Sequence, residues 1–188
     1  MSTIFELLDA IPEEAVPEEG RDVGPPHTGG NTSFVYFSSD QQYVFKHVCV
    51  DQFLKYDCAK REAQIMKTAL AGAPWAPELV YATSELLVLN YCGEQVTTDT
   101  LPEDFLEQAE DILVGLQERG VKHNDIKAKE VLVKDDRLYL CDYGWASVNG
   151  DFSIGRSDIC AEEKPCGILS DRNSLLMGLL NIEKGVSW

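Results

Sequence analysis

Apolar positions recur along this chain with two different periods. Ile4, Leu7, Leu8 and Ile11 share one face at helical spacing, which predicts a short amphipathic helix over residues 2–11. The stretch PEEAVPEEGRDVGPPHTGG then breaks any period with Pro, Gly and Glu, and predicts a linker or an extended strap with its acids in solvent. From Ser33 the texture becomes β-rich. SFVYFSSDQQYVFKHV contains two β-rich runs, Phe34–Phe37 and Tyr43–Val48, around the polar turn SSDQQ, which is a hairpin signal. In DQFLKYDCAKREAQIMKTAL the composition turns helical, with Phe53, Ile65, Met66, Ala69 and Leu70 on an apolar side and Asp51 as N-cap. GAPWAP ends that helix. ELVYA and ELLVLNYC read as two more strands, the second almost continuously apolar and therefore buried.

The second half opens on Thr100 and Glu103, which have the T-x-x-E spacing of a capping box. Phe105, Ala109, Ile112, Leu113 and Leu116 fall on one helical face, and Gly120 stops the helix. The polar segment KHNDIKAKE separates it from two short strands, VLVK and RLYLCD, joined through Asp135-Asp136. A Gly- and Asp-containing loop over 148–169 precedes a last helix, RNSLLMGLLNIE. Strands dominate first and helices afterwards, so the fold class expected is α+β. The expected parts are an N-terminal helix and acidic linker (1–28), a strand-rich lobe (29–95) and a mainly helical lobe (96–188), with a boundary near Gly93–Thr100.

Composition narrows the function classes. With 44% hydrophobic and 26% charged residues, the 188-residue chain has the make-up of a globular protein. Its 32 acids against 16 bases give a formal charge of −16. Phosphate neutralisation needs a basic surface, so neither nucleic acid nor an anionic membrane is expected as partner. No apolar run approaches the ~18–20 residues of a membrane span, and the acidic N-terminus lacks the basic and apolar regions of a signal peptide. Cys49, Cys58, Cys92, Cys141, Cys160 and Cys166 form no C-x-x-C pair and are expected as reduced thiols of a cytoplasmic protein; whether Cys160 and Cys166 pair stays open. His27 and His47 have no paired ligands and read as ordinary surface or strand residues.

The candidate chemistry lies in short motifs. TGGNTSFV places Gly29, Gly30, Ser33 and Val35 before and in a strand; YVFK ends a β-run on Lys46; Glu62 follows sixteen residues later on the predicted helix. NYC, Asn90 to Cys92, follows Leu89 at the end of the buried strand. HNDIKAKE contains His123, Asp125, Lys127 and Glu130, and LCDYG contains Asp142. Singly, each has an everyday explanation: a flexible loop, an exposed strand lysine, a surface glutamate, a polar turn, a strand-ending Asp-x-Gly. Their order and spacing, from Gly29 to about Leu180, resemble the protein-kinase-like superfamily.

That resemblance implies a two-lobed fold, an antiparallel sheet with one helix in the first lobe and a reduced, mainly helical second lobe. It implies ATP and Mg²⁺ as cofactors. Gly29, Gly30, Ser33 and Val35 would approach the phosphates, Lys46 would bind them and Glu62 would fix Lys46. Leu89 would be the gatekeeper, and backbone groups of Asn90, Tyr91 and Cys92 would hold adenine. Asp125 would be the catalytic aspartate and Lys127 the lysine that neutralises the transferring phosphoryl group. Asp142 and Glu130 would hold the metal, and Asp171, in SDRNSLLMGLL, would brace the catalytic loop. Six positions depart from the pattern: Thr28 and Ser33 stand for two of the three glycines, Asn124 for the arginine that receives charge from a phosphorylated loop, Glu130 for an asparagine, Tyr143 for a phenylalanine, and Asn173 for a tryptophan. No A-P-E-like segment is found. The phosphoryl acceptor is left open between a protein hydroxyl, for which a basic partner suits the acidic surface, and a small molecule or glycan. An active phosphotransferase, a pseudokinase that binds nucleotide or a partner, and an unrelated α+β domain are the three readings the residues allow.

Overall fold

A five-stranded antiparallel sheet in the order β1-β2-β3-β5-β4 organises the first half: β1 (Thr28–Gly29), β2 (Ser33–Phe37), β3 (Tyr43–Val48), β4 (Leu79–Ala82) and β5 (Leu86–Asn90). The structure, a computed structural model, describes residues 2–29, 33–48, 58–150 and 170–186. Expectations for Gly30, Asp51, Phe53, Cys49, the Cys160/Cys166 pair and the loop from 151 to 169 lie outside those residues. The described chain is α+β, with four α-helices and antiparallel sheets.

The described residues form two compact units. The first comprises Met1–Lys67 and Glu78–Tyr91, the second Thr68–Pro77 and Cys92–Trp188.

In the first unit the pairing register sorts the sheet into two faces. Val35 pairs with Lys46 and Lys46 with Leu87, so these share one face with Val44 and Leu89. Tyr36 pairs with Phe45 and Phe45 with Val88, which places them on the other. A bulge in β4 lets the adjacent Val80 and Tyr81 both join that second face. The β2–β3 loop is held by Ser38, whose hydroxyl donates to Asp40 Oδ1 (2.6 Å) and accepts from the backbone N–H of Tyr43 (2.9 Å) and Gln42 (3.1 Å).

Helix α1 spans Ile4–Asp9 and is capped by a Thr3–Glu6 capping box that the sequence reading passed over. Ile4, Leu8, Ile11 and Val16 pack on Phe45, Leu86 and Val88. The Pro- and Glu-rich stretch expected as a strap therefore contributes to the core of the unit: Val16 is fully buried, while Glu13, Glu14, Glu18 and Glu19 are exposed. Arg21 fastens it by donating to the Val16 carbonyl from both Nε (2.9 Å) and Nη2 (2.7 Å). On the opposite face α2 (Cys58–Lys67) lays Ala59 and Ala63 against Val48 and Leu87. Two alanines one turn apart let helix and sheet approach closely.

In the second unit α3 (Phe105–Glu118) buries Phe105, Ala109, Ile112, Leu113 and Leu116 as its periodicity predicts. Its start differs from expectation. The N-cap is Asp104, and the Thr100–Glu103 capping box does not form. Thr100 instead closes a turn, its hydroxyl accepting from the N–H of Thr97 (3.0 Å), which leaves it outside the helix. Gly120 ends the helix at φ +63, a conformation that suits glycine. Strands β8 (Val131–Lys134) and β9 (Arg137–Leu140) form a hairpin on Asp135 and Asp136, both at positive φ, and β6 (Glu94–Gln95) pairs with β8. β7 (Val121–Lys122) pairs with β10 (Ser147–Val148). Helix α4 (Asp171–Glu183) is capped by Ser170, buries Leu175, Leu179 and Ile182, and is joined to α3 by the Arg172–Glu110 ion pair.

Candidate functional site

Within the first unit, Lys46 leaves β3 between Val35 and Leu87, so its hydrocarbon stem runs over an apolar face. Its Nζ lies 2.7 Å from Glu62 Oε2, with the two side chains 12% and 3% exposed. Burying such a pair costs desolvation that its attraction rarely exceeds, so stability alone gives no reason for it. Gly29 pairs with Phe34 in β1–β2, Ser33 with Val48, and Leu89 is buried on the Lys46 face. The N–H groups of Asn90 and Tyr91 donate to the carbonyls of Glu78 (3.0 Å) and Gln42 (2.9 Å), so these two are not the donors an adenine would meet.

Within the second unit, the segment from His123 to Asp125 is held from three directions. Asp171, on the first turn of α4, accepts from the backbone N–H of His123 (2.7 Å) and of Asn124 (2.9 Å), one on each carboxylate oxygen. The His123 ring is fully buried, and its Nε2 lies 2.9 Å from the Cys141 carbonyl. Because a carbonyl only accepts and the Asp125 N–H on Nδ1 (3.4 Å) only donates, the consistent tautomer is neutral with its proton on Nε2. Burial pushes the His123 pKa down, against the Cys141 carbonyl and the charges of Asp171, Asp142 and Asp125, and so favours the same neutral ring. Asn124 sits at φ +66, which asparagine tolerates better than most residues.

The turn brings the titratable groups into one electrostatic cluster. Lys127 Nζ donates to Asp125 Oδ2 at 2.7 Å. Burial works against the Lys127 ammonium, yet the hydrogen bond and charge of Asp125, with Glu130 and Asp142, outweigh it and raise its pKa. Glu130 ends a 3-10 turn with its side chain 3% exposed and, among the described residues, no hydrogen-bond donor on either carboxylate oxygen; the Lys129 ammonium approaches Oε1 at 3.7 Å. Burial, reinforced by the charge of Asp142, pushes its pKa up, while Lys127 and Lys129 pull the other way. Asp142 itself is left-handed (φ +64), between the end of β9 and the 3-10 turn Tyr143–Trp145. Tyr143 is buried, its hydroxyl donating to the Leu140 carbonyl (2.9 Å).

Among the described residues no three of His, Cys, Asp and Glu form a ready metal cage. The donors present nevertheless suit Mg²⁺, which is commonly held by one or two carboxylates together with substrate phosphates. The Glu130 carboxyl, raised in pKa first by burial and then by the charge of Asp142, is of the donor type such a cation would take.

Of the expected site residues, the first unit pairs Lys46 with Glu62, and the second gathers Asp125, Lys127, Glu130 and Asp142. Cys92 is buried, its thiol pushed up to about 11 by burial, and so is no nucleophile. Sequence reasoning gave Asn124 no positive role, although its amide nitrogen donates to the carbonyls of Lys122 (3.2 Å) and Trp145 (3.1 Å) and to the Ser147 hydroxyl (3.3 Å). The readable signal was asparagine itself, a side chain suited to left-handed turns. No family model matches the chain, and no curated protein matches it.

Proposed function

We propose that the protein is an ATP-dependent phosphotransferase of the protein-kinase-like, two-lobed fold, passing the γ-phosphoryl group of ATP to a hydroxyl. The observation that carries this is the grip of Asp171 and His123 on residues 123–125. A polar turn of no function does not call for a fully buried neutral histidine and a bidentate carboxylate, whereas a loop that must aim Asp125 does.

In this reading Lys46 holds the ATP phosphates, with Glu62 limiting the freedom of its ammonium before ATP arrives. Asp125 accepts the proton of the attacking hydroxyl. Lys127, kept charged by its carboxylate neighbours, offsets negative charge on the transferring group. Asp142 and Glu130 are the residues that would hold Mg²⁺, which when bound screens the phosphate charge. The acceptor is a protein hydroxyl or a small molecule or glycan.

A second reading has one observation in its favour. Glu130 brings a buried negative charge toward the place where ATP would bring more, which suits a pseudokinase that binds nucleotide or a partner without turnover. Incubation with labelled ATP·Mg²⁺ and a panel of hydroxyl acceptors, this protein included, separates them. ATP·Mg²⁺ is expected to raise the melting temperature, and Lys46→Ala to remove that rise. Asp125→Asn is expected to abolish labelling while keeping the rise. Nucleotide stabilisation without labelling of any acceptor selects the nucleotide-binding pseudokinase, and no stabilisation by any nucleotide rejects the active phosphotransferase.

A further inference from the structure

We propose that Asn124 is the positioning residue for Asp125, through an amide tether that fixes the loop without any added phosphate. This rests on the phosphotransferase reading for its catalytic consequence, but not for the tether.

The geometry is specific to a primary amide in a left-handed residue. The backbone N–H of Asn124 is taken by Asp171 Oδ1, which sets the His123–Asn124 peptide, one residue ahead of Asp125. With φ at +66 the side chain turns back across the loop, and its nitrogen reaches three acceptors. Two, the carbonyl of Trp145 and the hydroxyl of Ser147, belong to the segment that follows Asp142; the third, the Lys122 carbonyl, precedes the loop. Ser147 is 1% exposed, so its bond is protected from water. The β7–β10 pairing, Val121 with Val148 and Lys122 with Ser147, closes the same join one residue away. A single side chain thus ties the approach to Asp125 to the exit from Asp142. The asparagine amide finds its acceptors within the fold. Among the described residues the tether is therefore complete in the unmodified chain, and it needs no added phosphate.

Two variants separate the backbone from the amide. Asn124→Gly keeps the left-handed conformation and deletes the donor; Asn124→Asp keeps shape and conformation but sets an acceptor against two carbonyls. After phosphatase treatment, amide hydrogen exchange is followed by mass spectrometry over 121–125 and 145–148, with β2 and β3 as internal reference. Both variants are expected to exchange about tenfold or more faster in those two segments and unchanged in the reference. ATP turnover is expected to lose about tenfold or more in kcat with KM for ATP within about twofold, because Asp125 is misplaced while the nucleotide is not. Wild-type exchange rates in Asn124→Gly would overturn the tether, whatever the activity. Loosened segments with wild-type kcat would overturn the positioning role. Loss of protection in the wild type on phosphatase treatment would overturn independence from phosphate. Absence of turnover in the wild type, with the tether intact, would instead reject the phosphotransferase reading.

Discussion

The Glu130 carboxylate is buried with no hydrogen-bond donor among the described residues and only the Lys129 ammonium at 3.7 Å, in a cluster that already holds Asp125 and Asp142. Removing that charge should relieve the fold. Glu130→Gln is expected to gain about 1–3 kcal/mol at neutral pH without metal, measured by denaturant unfolding. The same variant should lose most of any stabilisation by ATP·Mg²⁺. Lower stability in the metal-free variant would show that the carboxylate is held by the fold itself. His47 gives a prediction of opposite origin. It is 7% exposed on β3, its Nε2 has no partner among the described residues, and burial lowers its pKa, opposed by the charge of Glu85. The unfolded chain then takes up a proton at a higher pH than the native one. His47's contribution is full above an unfolded pKa of ~6.5 and is lost as pH falls through that value toward the lower folded pKa. Stability measured from pH 7.5 to pH 5 should therefore fall, and His47→Gln should flatten the slope; equal slopes in both proteins would assign the loss elsewhere. These residues also show what the sequence could tell. The pairing of Lys46 with Glu62 and the clustering of Asp125 with Asp142 were legible because residue type and order mark them. The burial of Glu130 and His47 was not, since it depends on what other elements place around them.

At the scale of elements, periodicity found the long pieces and missed the two-residue ones. β1, β6, β7 and β10 are too short for an alternation to show, and tertiary pairing alone makes them strands. The start of α3 was misplaced because T-x-x-E is a local pattern that a tighter local turn outcompeted. Gly115 tests packing against propensity in the same helix. Alanine would favour the helix by roughly 1 kcal/mol. Its Cβ, however, would lie 2.6 Å from Trp75 Nε1, and Trp75 is itself buried and lies 5.9 Å from the Arg119 guanidinium. Overpacking typically costs ~1–3 kcal/mol, so the steric effect should win. Gly115→Ala is expected to lower the melting temperature; a rise would mean that the Trp75 ring can move aside at little cost.

For the molecule as a whole, charge is the dominant global property. With a formal charge of −16 and acids such as Glu13, Glu14, Glu18 and Glu19 exposed, the folded chain repels itself. Raising NaCl from about 20 to about 200 mM shortens the screening length from roughly 20 to roughly 7 Å. The melting temperature should rise over that range and then level off. A fall would indicate that ion pairs such as Lys46–Glu62 outweigh the repulsion. The α+β class was legible from the order of strands and helices. The stretch from Pro12 was not, because its Pro and Glu content reads as linker while Val16 is core. No helix among the described residues is long and apolar enough to cross a membrane.

The two faces of the first sheet give the gene a reading-frame constraint of its own. Lys46 meets Glu62 only because an odd number of steps separates it from Phe45, whose side chain must go the other way, under α1 and Val16. Adding or deleting one residue inside β3 ahead of Lys46 would exchange the two sides. The ammonium would turn into the apolar layer and a phenyl ring would face Glu62. A change of two would restore the sides. Tolerance to length changes in this strand should therefore run with parity rather than with size, and the Ser38 turn that sets where the strand begins protects the Lys46–Glu62 pair as much as the fold.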